Sequence, residues 1–402
     1  MRKQLAILLS FSFLFGPAIM PAQDVVITVE RPDKEQEKEQ DEKQPFAGKR
    51  PGVDMAILLD TSNSMDGLIS QAKNQLWTIV QQFARAKKAG KTPVLRVAVF
   101  EYGNTRLPAS EGYIRQVTGL TDDLDVVSES LFALTTQGGD EYCGQVIGEA
   151  ITRLDWSDEP NAYKAIFIAG NEPFTQGPVK YQKTCKRAIE NGILVNTIHC
   201  GDYSTGVNGK WKHGAQMAEG EFMNINQDRA VVAIKTPQDK ILIELNRELN
   251  RTYLWYGQKD VRQRFMSNQI EQDRNSMESL GVTGLSNRAA VKGSAVYGNV
   301  GRDLVDSYNR DKSVMLEIKD SELPEALRRL PAGESRTKFV KEMAAKRGEI
   351  QKKIAEANRL RSDFIAKESK KLAADTGEST LGDAVQMAIN KQMKASGFEF
   401  EK

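Results

Sequence analysis

The middle of the chain, residues 53–256, alternates short apolar runs with segments whose apolar side chains recur every three or four positions. The apolar runs are rich in Val, Ile, Leu, Phe and Ala, which is typical of strands buried on both faces; they are residues 53–59, 94–100, 165–169 and 193–199. The segments between and after them predict helices over residues 68–87, 141–154, 179–191 and 241–256. This alternation predicts an α/β fold with a doubly wound, mostly parallel sheet. Residues 113–118 add an antiparallel edge strand.

After residue 257 the pattern changes, because aromatic residues become rare and Gln, Asn, Arg, Lys and Glu dominate. Residues 334–374 consist almost entirely of good helix formers with a sparse apolar stripe, which predicts one long, partly exposed helix or a helical hairpin. Residues 380–394 predict one more short helix. We therefore expect residues 51–257 to form the α/β domain and residues 258–402 a helical, partly coiled-coil-like extension.

The first 22 residues have the pattern of a secretory signal peptide. Arg2 and Lys3 precede an apolar run that extends to Met20, and small residues follow it. A retained N-terminal anchor or a buried helix is the alternative. Residues 23–50 then predict a charged, disordered tether, because residues 30–44 contain no aliphatic or aromatic side chain. We expect a mature chain without a transmembrane span, in the periplasm or secreted to the cell envelope.

Composition narrows the possible functions. The 402 residues include 56 Lys and Arg against 54 Asp and Glu, and this net charge of +2 disfavours a nucleic-acid partner. Two His leave little for a His-based metal cluster. The sequence contains neither a phosphate-binding Gly-x-x-x-x-Gly-Lys-Ser/Thr loop nor a His-Glu-x-x-His motif. We therefore do not expect an enzyme.

The three cysteines, Cys143, Cys185 and Cys200, lie in the α/β segment. In an exported chain we expect one disulfide and one buried thiol, with the pairing open. Three reduced, buried thiols are the alternative. A soft-metal site of Cys143, His199 and Cys200 is a further alternative, although it lacks the tight spacing of zinc sites.

The residues most suggestive of chemistry follow the first predicted strand. Asp60, Ser62 and Ser64 alternate in a short loop between that strand and an amphipathic helix. Ligands of open α/β sheets collect at the carboxyl ends of the strands. Carboxylate and hydroxyl oxygens suit hard cations such as Mg²⁺, Ca²⁺ or Mn²⁺. The competing interpretation is that these residues only cap helices and turns.

The loop and its surroundings resemble the von Willebrand factor type A (VWA) domain and its metal-ion-dependent adhesion site. The resemblance runs from VDMAILLDTSNSM through QGGDEYCGQVI and KAIFIAGNEPF to ILVNTIHCG. It implies a Rossmann-like sheet, with Asp60 bound to the metal through water and Ser62 and Ser64 bound directly. The family's usual Thr aligns with Asp140, whose carboxylate is expected to bind the cation in its place. The family's second Asp aligns with Gly170, which has no side chain to offer. Asn171 or Glu172 could compensate.

The signal peptide predicts an exported protein, and the resemblance implies that this protein docks partners through a divalent cation. An acidic side chain of the partner protein would complete the metal shell. One alternative is an envelope scaffold that assembles into oligomers through its C-terminal helices, with a non-functional metal loop. The other is a metal-dependent hydrolase.

Overall fold

A six-stranded, mostly parallel sheet forms the centre of the computed structural model, which describes residues 50–226, 228, 233–372 and 381–400. Its strands are β1 (Gly52–Asp60), β3 (Val94–Tyr102), β4 (Ile114–Thr121), β5 (Tyr163–Gly170), β6 (Leu194–Cys200) and β7 (Phe222–Ile225). Their order across the sheet is β4-β3-β1-β5-β6-β7, and only β4 runs antiparallel to its neighbour. Two short strands, β2 (Ala86–Lys87) and β8 (Glu399–Phe400), pair outside this sheet.

Helices cover both faces of the sheet and continue beyond it. They are α1 (Asp66–Arg85), α2 (Leu124–Phe132), α3 (Cys143–Arg153), α4 (Tyr181–Glu190), α5 (Tyr203–Asn208), α6 (Trp211–Met217), α7 (Gln238–Asn250), α8 (Lys259–Lys292), α9 (Leu304–Arg310), α10 (Val314–Glu317), α11 (Glu325–Arg328), α12 (Glu334–Leu372) and α13 (Leu381–Ala395). The predicted fold class is confirmed, including the antiparallel edge strand and the helical C-terminal region. Helix α8 bends at Leu280 and Gly281, where the backbone leaves helical geometry.

Alternation along the central strands divides the apolar core between the two faces of the sheet. Met55 and Leu59 of β1 face the cluster that includes α1, α2 and α13. Ala56 and Leu58 face the opposite cluster, which includes α3 and α4. Because successive side chains of a strand point to opposite faces, one continuous apolar run supplies both cores.

The C-terminal helices pack directly on the α/β layers. Helix α13 lies against α1 and the neighbouring strands β6 and β7, and its Ile389 is fully buried in the core shared with α1. Helix α8 packs against α1, α2 and α7, and α12 packs mainly against α7 and α9. Trp77 of α1 donates a hydrogen bond to Ser276 of α8 at 2.9 Å.

The predicted signal peptide (residues 1–22) and all but the last residue of the predicted tether (residues 23–50) lie outside the described residues. Within the ranges that are described, no helix is both long enough and apolar enough to cross a membrane.

Candidate functional site

The site is centred on Asp60, the last residue of β1. Its side chain is fully buried, and Oδ1 accepts a hydrogen bond of 2.7 Å from the backbone N–H of Ser62. That bond turns the chain so that Ser62 and Ser64 come together, with their Oγ atoms 3.2 Å apart. Asn171, just beyond the end of β5, donates from Nδ2 to Ser64 Oγ at 3.0 Å. The structure therefore brings together four of the six predicted metal ligands.

A second loop, residues 135–142, packs over the loop that follows β1. The backbone N–H of Gln137 donates to the carbonyl of Thr61 at 2.9 Å, and that of Gly138 donates to Asn63 Oδ1 at 2.8 Å. Gly139 passes so close to the backbone of residue 103 that an added Cβ would lie 2.7 Å from the Gly103 carbonyl oxygen. These contacts fix the backbone that leads into helix α3.

The second loop places two neighbouring carboxylates in opposite environments. The Asp140 side chain is exposed and accepts a hydrogen bond of 3.2 Å from the hydroxyl of Tyr142. Glu141 is 3% exposed, and its carboxyl group lies beside Asp60. Sequence reasoning selected Asp140 by alignment with a family Thr and missed Glu141. The only signal was that two acidic residues follow Gly138 and Gly139, and composition does not tell which of them faces inward.

The other predicted ligand, Glu172, lies at the rim. Its side chain is exposed, and its backbone carbonyl accepts a hydrogen bond of 2.8 Å from Trp211 Nε1. It still acts on the site at a distance, because its negative charge contributes to raising the pKa of both Asp60 and Glu141.

Asp60 and Glu141 converge on Gly103, whose φ of +79° is in the left-handed region. A Cβ added to Gly103 would lie 2.8 Å from Glu141 Cγ and 2.9 Å from Asp60 Oδ1. Burial raises the pKa of both carboxyl groups. A hydrogen bond between the two groups and repulsion from Asp60 raise the pKa of Glu141 further, to about 10, whereas hydrogen bonds with Glu141 and Ser62 oppose the rise at Asp60. Among the described residues, no hydrogen-bond donor reaches Asp60 Oδ2 or Glu141 Oε2.

Position 170, where the family has its second Asp, is closed to any side chain. A Cβ on Gly170 would lie 2.5 Å from the Tyr102 hydroxyl oxygen and 3.2 Å from Asp60 Oδ2. Tyr102 is fully buried, and its hydroxyl donates to the carbonyl of Ala169 at 2.9 Å, which fixes the ring in this place. A side chain at residue 170 would therefore require Tyr102 to move.

The donor chemistry of this site suits a hard divalent cation. Its oxygens come from two buried carboxylates, two serine hydroxyls and the Asn171 amide, and Asn171 Oδ1 is also a buried acceptor without a donor in the described part of the chain. Buried polar atoms normally have partners, so three such acceptors at one place fit either a shared proton or a bound cation. Soft ligands do not converge here, and residues 50–226, 233–372 and 381–400 contain no group of three or more His, Cys, Asp or Glu arranged to hold a metal.

The three cysteines, all of which are described, are buried free thiols. Cys143 and Cys185 belong to the core on one face of the sheet and Cys200 to the core on the other. Cys143 Sγ lies 3.8 Å from the Tyr102 hydroxyl oxygen, and burial raises the pKa of its thiol well above the usual value. The expected disulfide is thus not formed in this structure.

Comparisons with known proteins bear on the family. No curated protein sequence matches the chain. The solved structures that resemble it include BatB from Bacteroides thetaiotaomicron, with 17% identity over 44% of this chain and 91% of that chain and a TM-score of 0.34. They also include proximal thread matrix protein 1 from the mussel byssus with a zinc-occupied MIDAS motif, with 16% identity over 45% of this chain and 43% of that chain and a TM-score of 0.35.

The chain thus spans less than half the length of the mussel protein. Identities and TM-scores this low say nothing about function, so the assignment depends on the match of residues 54–225 to a family model. That match agrees with the strand-loop motif and with a mostly parallel sheet flanked by helices. Residues 54–225 form a von Willebrand factor type A domain.

Proposed function

We propose that this protein is an exported binding protein that docks a partner protein through a divalent cation held at the carboxyl end of its sheet. The observation that carries the proposal is the convergence of Asp60, Ser62, Ser64 and Asn171 around buried oxygens that lack donors among the described residues. VWA domains typically serve as interaction modules. Export is inferred from the N-terminal sequence pattern alone.

The cation would serve as the bridge between the two proteins. Asp60 and the serine hydroxyls would hold it, and Mg²⁺ is the first candidate, with Mn²⁺ and Ca²⁺ also suited to oxygen ligands. Ser64 is exposed at the mouth of the site, so an oxygen donor of a partner can approach from solvent. An acidic side chain is the group expected to complete the shell.

The test is capture of envelope proteins by the full-length mature chain, in Mg²⁺ or in EDTA. We expect capture that requires Mg²⁺ and is lost in Asp60→Ala. The matched control is Asp158→Ala, an exposed aspartate just before β5 and therefore at the opposite end of the parallel strands. Equal capture in EDTA, or by Asp60→Ala, would show that the cation does not bridge the two proteins.

A further inference from the structure

The floor of the site contains two carboxyl groups that lie side by side. Asp60 is fully buried and Glu141 is 3% exposed, and one oxygen of each has no hydrogen-bond donor among the residues that the structure describes. Two like charges out of water repel each other strongly, so such a pair needs either a shared proton or a bound cation. The neighbouring serine and amide oxygens favour the cation.

Glu141 occupies this place because the fold closes the alternative. Tyr102 fills the space beside Gly170, so β5 cannot supply a carboxylate at its end. The second loop instead supplies a carboxylate, that of Glu141. The backbone N–H of Glu141 donates to Gln176 Oε1 at 2.7 Å, which holds the residue with its side chain turned inward.

We infer that Glu141 is a direct ligand of the cation. Its carboxylate, from the loop before α3, takes the place of the second carboxylate that β5 does not provide. This inference rests on the proposed cation site and adds a residue to it. Two carboxylates balance the charge of a divalent ion, so the chain should retain its cation before any partner arrives.

The decisive experiment uses the metal alone. Mn²⁺ is titrated into the full-length mature chain, and the free ion is followed by electron paramagnetic resonance, with Mg²⁺ as competitor. Glu141→Gln keeps the size of the side chain and removes its charge, and it should weaken Mn²⁺ binding roughly tenfold or more. Asp158→Asn, the exposed control, should bind like the wild type. Asp140→Asn tests the rival ligand and should have little effect.

A second readout separates direct ligation from support at a distance. Eu³⁺ luminescence lifetimes in H₂O and D₂O count the waters bound to the ion, and removal of a direct ligand should add at least one water in Glu141→Gln. Urea midpoints check that the variants fold. If Glu141→Gln is unfolded, Glu141→Asp takes its place, because it keeps the charge, shortens the reach by one methylene and should also weaken binding.

The outcomes distinguish this inference from the proposed function. Wild-type binding that is unchanged in Glu141→Gln, or that is lost only in Asp140→Asn, overturns the assignment of Glu141 and leaves the cation site standing. Weaker binding with an unchanged water count overturns direct ligation. No binding of Mn²⁺ or Mg²⁺ by the wild type overturns the cation site itself.

Discussion

The hydroxyl of Tyr102 occupies the space that a side chain at residue 170 would need. An added Cβ on Gly170 would lie 2.5 Å from the Tyr102 hydroxyl oxygen. That hydroxyl already donates a hydrogen bond to the Ala169 carbonyl. The ring lies on β3 and the glycine ends β5, with β1 and Asp60 between them. Tyr102 therefore leaves no room for a carboxylate at residue 170, and the second carboxylate that we propose, Glu141, comes from a different loop.

We expect Gly170→Ala to destabilise the protein by about 1–3 kcal/mol, because the new methyl group overpacks a closed space. Urea unfolding measures this loss. Gly298→Ala is the matched control, since a Cβ there would meet no atom within 4 Å. Adding Tyr102→Phe to Gly170→Ala should recover part of the loss, because the phenol oxygen is the nearest obstacle. Strictly additive effects of the two changes would contradict this explanation.

A buried ionic network joins the C-terminal helices to the α/β layers. Arg288 of α8 is fully buried and binds Asp125 of α2 at 2.7 Å and Asp273 of α8 at 2.5 Å. Its guanidinium also lies 4.6 Å from the ring centroid of Trp77. The Tyr297 hydroxyl donates to the other oxygen of Asp125 at 2.6 Å.

Replacing Arg288 with Met should lower the free energy of unfolding by about 3–5 kcal/mol, because two buried carboxylates lose a partner. Denaturant unfolding with circular dichroism measures the change. Arg359→Met is the control: Arg359 also has two acidic neighbours, Glu356 and Asp363, but all three side chains are exposed, so little change is expected. A similar effect in both variants would show that burial is not the cause.

Lys292 of the same network gives a prediction about pH. Burial lowers the pKa of its ammonium from 10.5 to about 8, and the positive charge of Arg288 adds to this, while Asp273 and Asp125 act in the opposite direction. Its nitrogen contacts Asp273 and, at 2.5 Å, Asn250 of α7. Because the folded pKa lies below the unfolded one, the unfolded chain binds more protons between these two values. Lys292 should therefore make stability rise with pH from about 8 to 10.5.

The measurement is the free energy of unfolding of wild type minus that of Lys292→Met, between pH 7 and pH 10.5. This difference should grow with pH by at most about 1.4 kcal/mol per unit. Lys353→Met, at an exposed position of α12, should give a flat difference. A flat or falling difference for Lys292 would contradict the lowered pKa.

The sequence contained enough to predict the sheet, because each apolar run coincides with a strand to within a few residues. The sequence pattern did not reveal β7, which has only four residues. It also predicted a helix up to residue 256, although α7 ends at Asn250. The loop after β1 was predictable because Asp60, Ser62 and Ser64 lie close together in sequence. The inward position of Glu141 was not predictable, because its backbone N–H is held by Gln176, which is distant in sequence.

The placement of the C-terminal helices could not be predicted for a related reason. Helix α13 has an ordinary amphipathic pattern, and nothing in that pattern says that it packs beside β7 rather than against α12. The burial of Arg288 and Lys292 could not be predicted from the sequence either, because charged residues in a polar helix are usually solvated.

Helix α13 contributes side chains to the core that α1 and the sheet share. Ile389 is fully buried among residues of α1 and the sheet, whereas Met387 on the same helix is 61% exposed. Ile389→Ala should therefore cost about 2–4 kcal/mol, and Met387→Ala should cost little. If α13 completes this core, the loss should appear as one shifted transition that coincides by circular dichroism and tryptophan fluorescence. Two separate transitions, with only one shifted by Ile389→Ala, would show that the C-terminal helices fold as an independent unit.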